Sequence, residues 1–458
     1  MAASKDILLG RIRNGGSLSP GEQVRLSLML SYPAILAQLS SVMMQYIDTS
    51  MVGHLGAQAG ASIGLVSTCL WLLGGFGMAV TSGFSVQVAH RIGANDFKGA
   101  RNVLRQGLLS VFLFTASLAL IGIAVSPFLP FWLGGGEDIA ADASRYFLIM
   151  SAFMPIMVLD WTCAAMLQAS GNMKVPSLLS MGMCVLDVVF NYLFIYILDM
   201  GVVGAAMGSG LAELVTAALM FSYLALKSPE LRLTHEKGSY RPTSDIMKRA
   251  ADISAPMALQ NILMRGGYIA ATVIVAPLGT IAIAANSFAI TAESFCYMPG
   301  AGIADAATTL TGQSLGARRK DLATRFAWIT TGLGMGIMGF LAIFMYIFAP
   351  QLMSMLSPDA EVIALGAKVL RIEAFAELGY AAAMVVYGAC VGAGDTRIPS
   401  IMNLCSMWIV RIIPAIFMTR AYGLPGFWIC MAAELSFRGF IFLVRLVRGD
   451  WLKNVKEL

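Results

Sequence analysis

Charged residues are scarce in this chain. Asp, Glu, Lys and Arg account for 12% of its 458 residues, and 58% of the residues are hydrophobic. Soluble domains carry roughly 25% charged residues, so the composition excludes a soluble enzyme and indicates a polytopic membrane protein. Strand-length runs of alternating polarity are also missing, which excludes a β-barrel.

Metal-binding, redox and nucleotide-binding patterns are missing as well. The seven cysteines form no C-x-x-C pair, and the three histidines have no metal-ligand spacing. The sequence contains no P-loop, no H-E-x-x-H and no G-x-S-x-G motif. These absences exclude an ATP-driven pump, disfavour a membrane-embedded enzyme and predict that no cofactor is bound.

Long apolar stretches fill most of the chain between residues 26 and 445. A transmembrane helix needs about 20 such residues, and these stretches predict about twelve helices. The first 25 residues carry Lys5, Arg11 and Arg13 and have no long apolar core, so they do not resemble a cleaved signal peptide. We expect an all-α integral membrane protein whose helices are embedded in the lipid bilayer.

Basic residues lie at the ends of the apolar stretches and alternate between sides. One set of loops is rich in Lys and Arg, and it contains Arg91 to Arg105, Lys174, Lys227 to Arg249, Arg318 to Arg325, Arg397 and the C-terminal tail. The opposite set is mainly acidic, with few basic residues beyond Arg145, Lys368, Arg371 and Arg420. The positive-inside rule then places both termini in the cytoplasm. The net charge of +5 reflects this topology and not a nucleic-acid partner.

The two halves of the chain are copies of one unit. Landmark residues recur 223 positions apart, and the pairs are Pro33 and Pro256, Gly56 and Gly279, Gly93 and Gly316, and Gly171 and Gly394. Each copy carries six helices, an even number, so both begin on the same side and the repeat is parallel. Two parallel six-helix lobes around a cleft are typical of transporters.

The repeat also predicts the boundaries of the lobes. The expected segments are a cytoplasmic tail at 1–25, an N-lobe at 26–227, a cytoplasmic linker at 228–249, a C-lobe at 250–447 and a tail at 448–458.

Asp48 is the only acidic residue in the apolar run from Leu26 to Val52. A charge at the centre of a membrane helix costs about 2.5–3.5 kcal/mol on insertion scales, and such residues usually carry function. The second copy has Ala271 at the matching position, so the scaffold does not require the carboxylate. The alternative is a structural Asp that is hydrogen-bonded to a neighbouring helix.

Helices five and six supply three more polar side chains. Asp187 and Asn191 are four residues apart and share one helix face, and their repeat partners Val410 and Pro414 are apolar. Ser209 lies among small residues that allow close helix approach. With Asp48 these oxygens suit a proton or a small hard cation. Interhelical hydrogen bonding without an ion is the alternative interpretation.

The second half of the chain has its own membrane charges. Arg265, Glu293, Glu373 and Glu377 are predicted to form an ion-pair set, because buried membrane charges normally pair. A cationic substrate is the alternative partner for the acidic members. The residues expected to line a substrate cavity are Gln38, Tyr46, Gln260, Arg265, Glu293 and Glu377.

Three motifs resemble the multidrug and toxic compound extrusion (MATE) transporters. They are DTSMVGHLG at 48–56, GQSLGA at 312–317 and GAGDTRIP at 392–399, and the similarity extends from Pro33 to Arg448. The resemblance implies twelve helices in two lobes. It also implies export of organic, often cationic, compounds in exchange for protons or sodium ions.

The resemblance further implies a cation site in the N-lobe. Asp48 matches the family's carboxylate of helix one, Asp187 and Asn191 match polar positions of helix five, and Ser209 matches a hydroxyl of helix six. A sodium ion would then bind Asp48, Asp187 and Asn191, although many members have Asn at the position of Asp187.

Helix seven departs from the branch that places an essential Glu there. The chain has Met264 and Arg265 instead, and Arg265 with Glu293 is more similar to the DinF-like branch. This difference argues against a sodium site in the C-lobe.

The sequence therefore predicts a monomeric secondary antiporter of the inner (plasma) membrane, exporting organic, cationic or amphiphilic small molecules by alternating access between its lobes. A lipid-linked oligosaccharide flippase of the same wider superfamily is the alternative. A flippase is expected to carry several basic residues for a diphosphate, whereas only Arg265 and Arg411 lie deep in the predicted helices.

Overall fold

The computed structural model describes residues 2–453, apart from the side chains of residues 2–4 and 57. The N-terminal helix and the helices of the first copy of the repeat are α1 (Ala2–Arg13), α2 (Pro20–Gly53), α3 (Ala57–Gly93), α4 (Phe97–Val125), α5 (Leu129–Trp132), α6 (Glu137–Ala169), α7 (Lys174–Tyr192) and α8 (Gly201–Leu226). A π-helical turn, Leu193–Ile197, follows α7.

The second copy repeats this order, but the counterparts of α6 and α7 are each divided into two helices. Its helices are α9 (Ser244–Val275), α10 (Thr280–Gly316), α11 (Lys320–Ile347), α12 (Ala349–Ser354), α13 (Ala360–Ala374), α14 (Glu377–Gly392), α15 (Arg397–Cys405), α16 (Ile413–Tyr422) and α17 (Leu424–Arg448). A π-helical segment, Ser406–Ile412, joins α15 to α16, and its counterpart in the first copy, residues 183–189, lies inside α7.

Eleven helices of the described chain are long and apolar enough to cross a membrane. A twelfth crossing results if α13 and α14, which meet at a bend of 57°, count as one broken span. Residues 2–453 contain no β-strand. The predicted all-α fold with about twelve spans in two repeated lobes is confirmed.

The segment predicted as an N-terminal tail contains α1 and the first turns of α2. Leu9 and Ile12 of α1 are buried. The guanidinium of Arg11 lies 2.7 Å from the carboxylate of Glu22. Arg319 donates a hydrogen bond of 2.7 Å to the carbonyl of Gly16. These contacts fold the segment onto the start of α11 and the neighbouring helices.

The basic linker between the two copies is held by α4. Arg101 forms an ion pair of 3.2 Å with Glu236, and Arg105 donates to the carbonyls of Leu233 and Glu236. Leu231 is fully buried. The linker is therefore a packed part of the structure.

The chain forms two compact units, and the division falls inside α2 and α9. The first unit is residues 40–258, and the second unit is residues 1–39 with 259–458. In the second unit, a Cβ atom at Gly302 would lie 2.6 Å from the backbone nitrogen of Ile35. In the first unit, one at Gly83 would lie 2.5 Å from the carbonyl oxygen of Ala250. Glycines in α10 and α3 therefore admit the first halves of α2 and α9 respectively.

Candidate functional site

The four polar residues predicted for the N-lobe meet inside the first unit. The side-chain amide nitrogen of Asn191 donates to Asp48 Oδ1 at 3.0 Å and to Asp187 Oδ2 at 3.1 Å. It also lies 3.5 Å from the hydroxyl oxygen of Ser209. One amide thus bridges two carboxyl groups that come from α2 and α7. We term the side chains of Asp48, Asp187, Asn191 and Ser209 the N-lobe site.

Burial distinguishes the members of the N-lobe site. Asp187 is 0% exposed and Asn191 is 2% exposed, whereas Asp48 and Ser209 are half-buried. Oδ1 of Asp187 and Oδ1 of Asn191 have no hydrogen-bond partner among the described residues. A buried oxygen without a partner costs about 1–3 kcal/mol, so a proton or a cation at either atom would offset this cost.

Close packing of α8 on α7 positions Ser209. A Cβ atom at Gly208 would lie 2.9 Å from the backbone nitrogen of Asn191, and one at Gly204 would lie 2.7 Å from the carbonyl oxygen of Phe194. Only residues without a side chain allow this approach. The hydroxyl of Tyr196, in the π-helical turn, donates a 2.9 Å hydrogen bond to the carbonyl of Met51, which lies on α2 three residues beyond Asp48.

Two further buried carboxyl groups lie beside the N-lobe site, and the sequence analysis missed them. Glu213 of α8 is 2% exposed and Asp160 of α6 is 4% exposed. Glu213 interacts electrostatically with both Asp160 and Asp187. Each has one carboxyl oxygen without a hydrogen-bond partner among residues 2–453.

The packing of α8 on α6 explains why these two groups are neighbours. A Cβ atom at Gly210 would overlap the ring of Phe153. Glu213 is three residues beyond Gly210, and Asp160 is seven residues, about two turns, beyond Phe153. Both carboxyl groups therefore lie on the faces along which α6 and α8 pack.

The criterion that identified Asp48 was an acidic residue in an apolar helix with no acidic counterpart in the repeat. The same criterion would have identified Asp160 and Glu213. Asp160 and Glu213 are ionisable residues inside apolar helices, and their repeat positions hold Ala383 and Ser436. Neither carboxylate is therefore required by the symmetric scaffold.

The second unit contains a different polar cluster. Its cavity of about 220 Å³ is lined by Tyr268, Asn286, Glu293, Tyr297, Tyr380, Arg411 and Arg438, together with apolar residues. Trp428 of α17 donates a 2.9 Å hydrogen bond to Asn286. Glu373 and Glu377 lie on neighbouring turns beside Glu293, and both are fully buried.

The second unit contains ion pairs that the prediction did not include. Glu434, which the sequence analysis did not consider, pairs with Arg438 at 2.6 Å and Arg411 at 3.4 Å. The carboxyl oxygens of Glu373 have no hydrogen-bond partner within the described chain, and the neighbour that hydrogen-bonds to Glu377 is Cys296. The prediction assigned partners by charge alone, whereas the packing of α17 on the π-helical segment decides which carboxylate the arginines reach.

The remaining predicted cavity residues have separate neighbours. Gln38 hydrogen-bonds to the carboxyl group of Asp305, and Gln260 accepts a 3.3 Å hydrogen bond from the hydroxyl of Tyr387. Arg265 is half-buried on α9, in the second unit. Tyr46 is half-buried on α2, in the first unit. The structure therefore divides the six candidates between the two units.

The MatE family model matches residues 33–193 and 256–417, one match in each copy of the repeat. The chain is 27% identical to a probable multidrug resistance protein NorM of Thermotoga maritima, over 94% of this chain and 95% of that protein. It is 26% identical to a protein of the same name from Neisseria meningitidis, over 91% and 92% of the two chains.

Solved structures share the fold at lower sequence identity. The Vibrio cholerae MATE transporter VcmN in its bent form superposes with a TM-score of 0.87 at 19% identity, covering 96% of this chain and 99% of that chain. A MOP superfamily transporter from Pyrococcus furiosus gives 0.88 at 21% identity, covering 97% and 98%. The resemblance to MATE transporters is confirmed, and the assignment to a DinF-like branch stays a prediction. The chain belongs to the MatE family of membrane transporters.

Proposed function

We propose that the protein is a secondary antiporter that exports organic compounds in exchange for protons or sodium ions. The observation that carries the proposal is the bridging of Asp48 and Asp187 by the Asn191 amide in a largely buried site. The names of the NorM relatives refer to multidrug resistance, which supports organic efflux substrates.

The two carboxyl groups supply the coupling chemistry. Two neighbouring carboxylates in a low-dielectric site repel each other, so the pair must bind a proton or share a cation. Such a pair titrates as one unit. Binding of the ion removes the repulsion that separates α2 from α7, and release of the ion restores it. This difference biases a conformational equilibrium, as alternating access requires.

The orientation of the Asn191 amide has a different consequence for each of the two possible ions. Its amide nitrogen faces the carboxylates, so a proton on one of them can be accommodated without rearrangement. Sodium requires oxygen ligands, and a half-turn of the amide would present Oδ1 instead. Oδ1 of Asp187 and Oδ1 of Asn191 have no hydrogen-bond partner among residues 2–453, which is compatible with either ion.

We further propose that organic cations contact the polar side chains of the second unit. Three tyrosine rings and Glu293 line its 220 Å³ cavity, and aromatic faces with a carboxylate attract cations. The two arginines of the same lining, Arg411 and Arg438, both pair with Glu434. Gln38, Tyr46, Gln260, Arg265 and Glu377 remain candidates for the same role. The expected partners are small molecules and the bilayer lipids, for a monomer in the inner (plasma) membrane.

Uptake of a fluorescent organic cation into proteoliposomes tests the proposal. A pH gradient and a sodium gradient are imposed separately, with Asp138→Asn as a control because Asp138 is exposed. We expect one gradient or both to drive accumulation in the wild type and in the control. Equal, gradient-independent equilibration would contradict antiport.

A further inference from the structure

An apolar groove opens on the outer face of the second unit. It has a volume of about 780 Å³, and its lining comprises Gly336, Gly339, Phe340, Ala342, Ile343 and Tyr346 of α11 with Ala374, Phe375 and Leu378. Phe340 and Phe375 are 70% and 76% exposed. In a membrane protein such a groove faces lipid.

Two features of the backbone create the groove. The floor of the groove is the part of α11 that contains Gly336 and Gly339, which have no side chains. A Cβ atom at Gly336 would meet nothing within 4 Å. The second wall is the junction of α13 and α14, which bend by 57° between Ala374 and Glu377. The bend displaces Phe375 and Leu378 from a straight helical line and leaves space beside α11.

The length of the groove matches one leaflet of a bilayer. Its lining runs along α11 from Gly336 to Tyr346, and ten residues at 1.5 Å each span about 15 Å. The hydrocarbon core of a bilayer is about 30 Å thick, so half of it is of the same length. The groove therefore has the reach of an acyl chain.

The end of the groove at Tyr346 carries positive charge. The guanidinium carbon of Arg371 lies 5.7 Å from the centroid of the Tyr346 ring, and its Nε donates a 3.2 Å hydrogen bond to the Tyr346 carbonyl. Lys368, three residues earlier, is on the same face of α13. Both side chains are exposed.

These two charges have no acidic partner. Lys368 makes no ion pair or hydrogen bond within residues 2–453, and the Nη atoms of Arg371 make none either. Basic residues are few on this side of the predicted topology. An unpaired cation pair at the mouth of an acyl-sized groove complements a headgroup with a net negative charge.

We propose that this groove is a binding site for an anionic phospholipid of the phosphatidylglycerol type. One acyl chain lies along α11 from Tyr346 to Gly336, and the phosphate contacts Arg371 and Lys368. The ring of Tyr346, which packs edge-on against Phe375 with centroids 5.6 Å apart, separates the headgroup from the chain. The site is independent of the ion-coupling proposal because its lining shares no residue with the N-lobe site or with the cavity of the second unit.

Native mass spectrometry of the purified protein tests the proposal. The protein is titrated with phosphatidylglycerol and, separately, with phosphatidylethanolamine that carries identical acyl chains. A basic side chain near an anionic surface contributes about fivefold, so the wild type should prefer phosphatidylglycerol by about tenfold or more.

Three variants separate the contributions of charge and shape. In the double variant Lys368→Gln with Arg371→Gln, the preference should fall to near unity. Gly336→Phe fills the floor of the groove and should abolish retention of the preferred lipid. Gly332→Phe is the matched control, since it lies on the same helix in open space but outside the groove, and it should bind like the wild type.

The result that would overturn the proposal is equal retention of the two lipids by the wild type. Undiminished phosphatidylglycerol binding by Gly336→Phe would overturn it as well. If Gly336→Phe proves unstable on size exclusion, the double charge variant still decides, because it leaves the groove and the apolar packing intact.

Discussion

At the scale of single residues, the N-lobe site depends on two carboxyl groups joined by one amide. The sequence identified Asp48 because a lone carboxylate in an apolar helix is costly. It could not show that the amide nitrogen of Asn191, and not its oxygen, faces Asp48 and Asp187. That orientation depends on side-chain rotation within a packed site, and helix spacing gives no information about it.

Asp187→Asn should move the pH optimum of proton-coupled transport to lower pH. The substitution removes a negative charge beside Asp48, so less repulsion opposes its ionisation and its proton is released at lower pH. Sodium-driven transport should weaken because a charged ligand is lost. The measurement is transport rate against pH in proteoliposomes, and superimposable profiles would show that Asp187 is only structural.

Glu213→Gln should shift the same profile in the same direction by a smaller amount. Glu213 interacts electrostatically with Asp187 and Asp160, but it makes no hydrogen bond to Asp48. Glutamine preserves its size, so the yield and melting temperature should stay close to those of the wild type. An unchanged profile in a folded protein would remove Glu213 from the coupling network.

At the scale of helices, the repeat and the number of spans could be predicted from the sequence. The 223-residue offset and the apolar runs lie in the chain itself. The bend between α13 and α14 could not be predicted, because no proline lies between Ala374 and Glu377. Nor could the sequence show that the two halves of α2 belong to different units, since that division depends on contacts made far along the chain.

Gly208→Ala should destabilise the protein and reduce transport. Its new methyl group would lie 2.9 Å from the backbone nitrogen of Asn191, and overpacking of this kind costs about 1–3 kcal/mol. Gly182→Ala on α7 is the matched control, because a Cβ atom there meets nothing within 4 Å and alanine favours a helix. Thermal unfolding in detergent distinguishes them, and equal melting temperatures would refute the close approach of α8.

At the scale of the whole molecule, the distribution of basic residues predicts the topology. Lys and Arg are concentrated in the loops that share a side with both chain ends. Reporter fusions at each terminus should therefore show cytoplasmic activity. An external C-terminus would require an odd number of spans and would contradict the parallel repeat.

The energetic requirement of the proposed antiport is modest. One charge moved through 100 mV is worth about 2.3 kcal/mol. At about 1.4 kcal/mol for each factor of ten, one net charge moved per cycle supports roughly a fifty-fold gradient of an uncharged substrate. One-for-one exchange with an organic cation moves no net charge, so the concentration gradient of the coupling ion supplies the free energy in that case.

The most direct test of coupling at the N-lobe site is the ion flux that a substrate gradient drives in proteoliposomes. Coupling is reciprocal, so a substrate gradient should move protons or sodium ions in the opposite direction through the wild type. Asp48→Asn should fold normally and lose this ion movement, while Asp138→Asn keeps it. Ion flux at the wild-type ratio through Asp48→Asn would contradict coupling at this site.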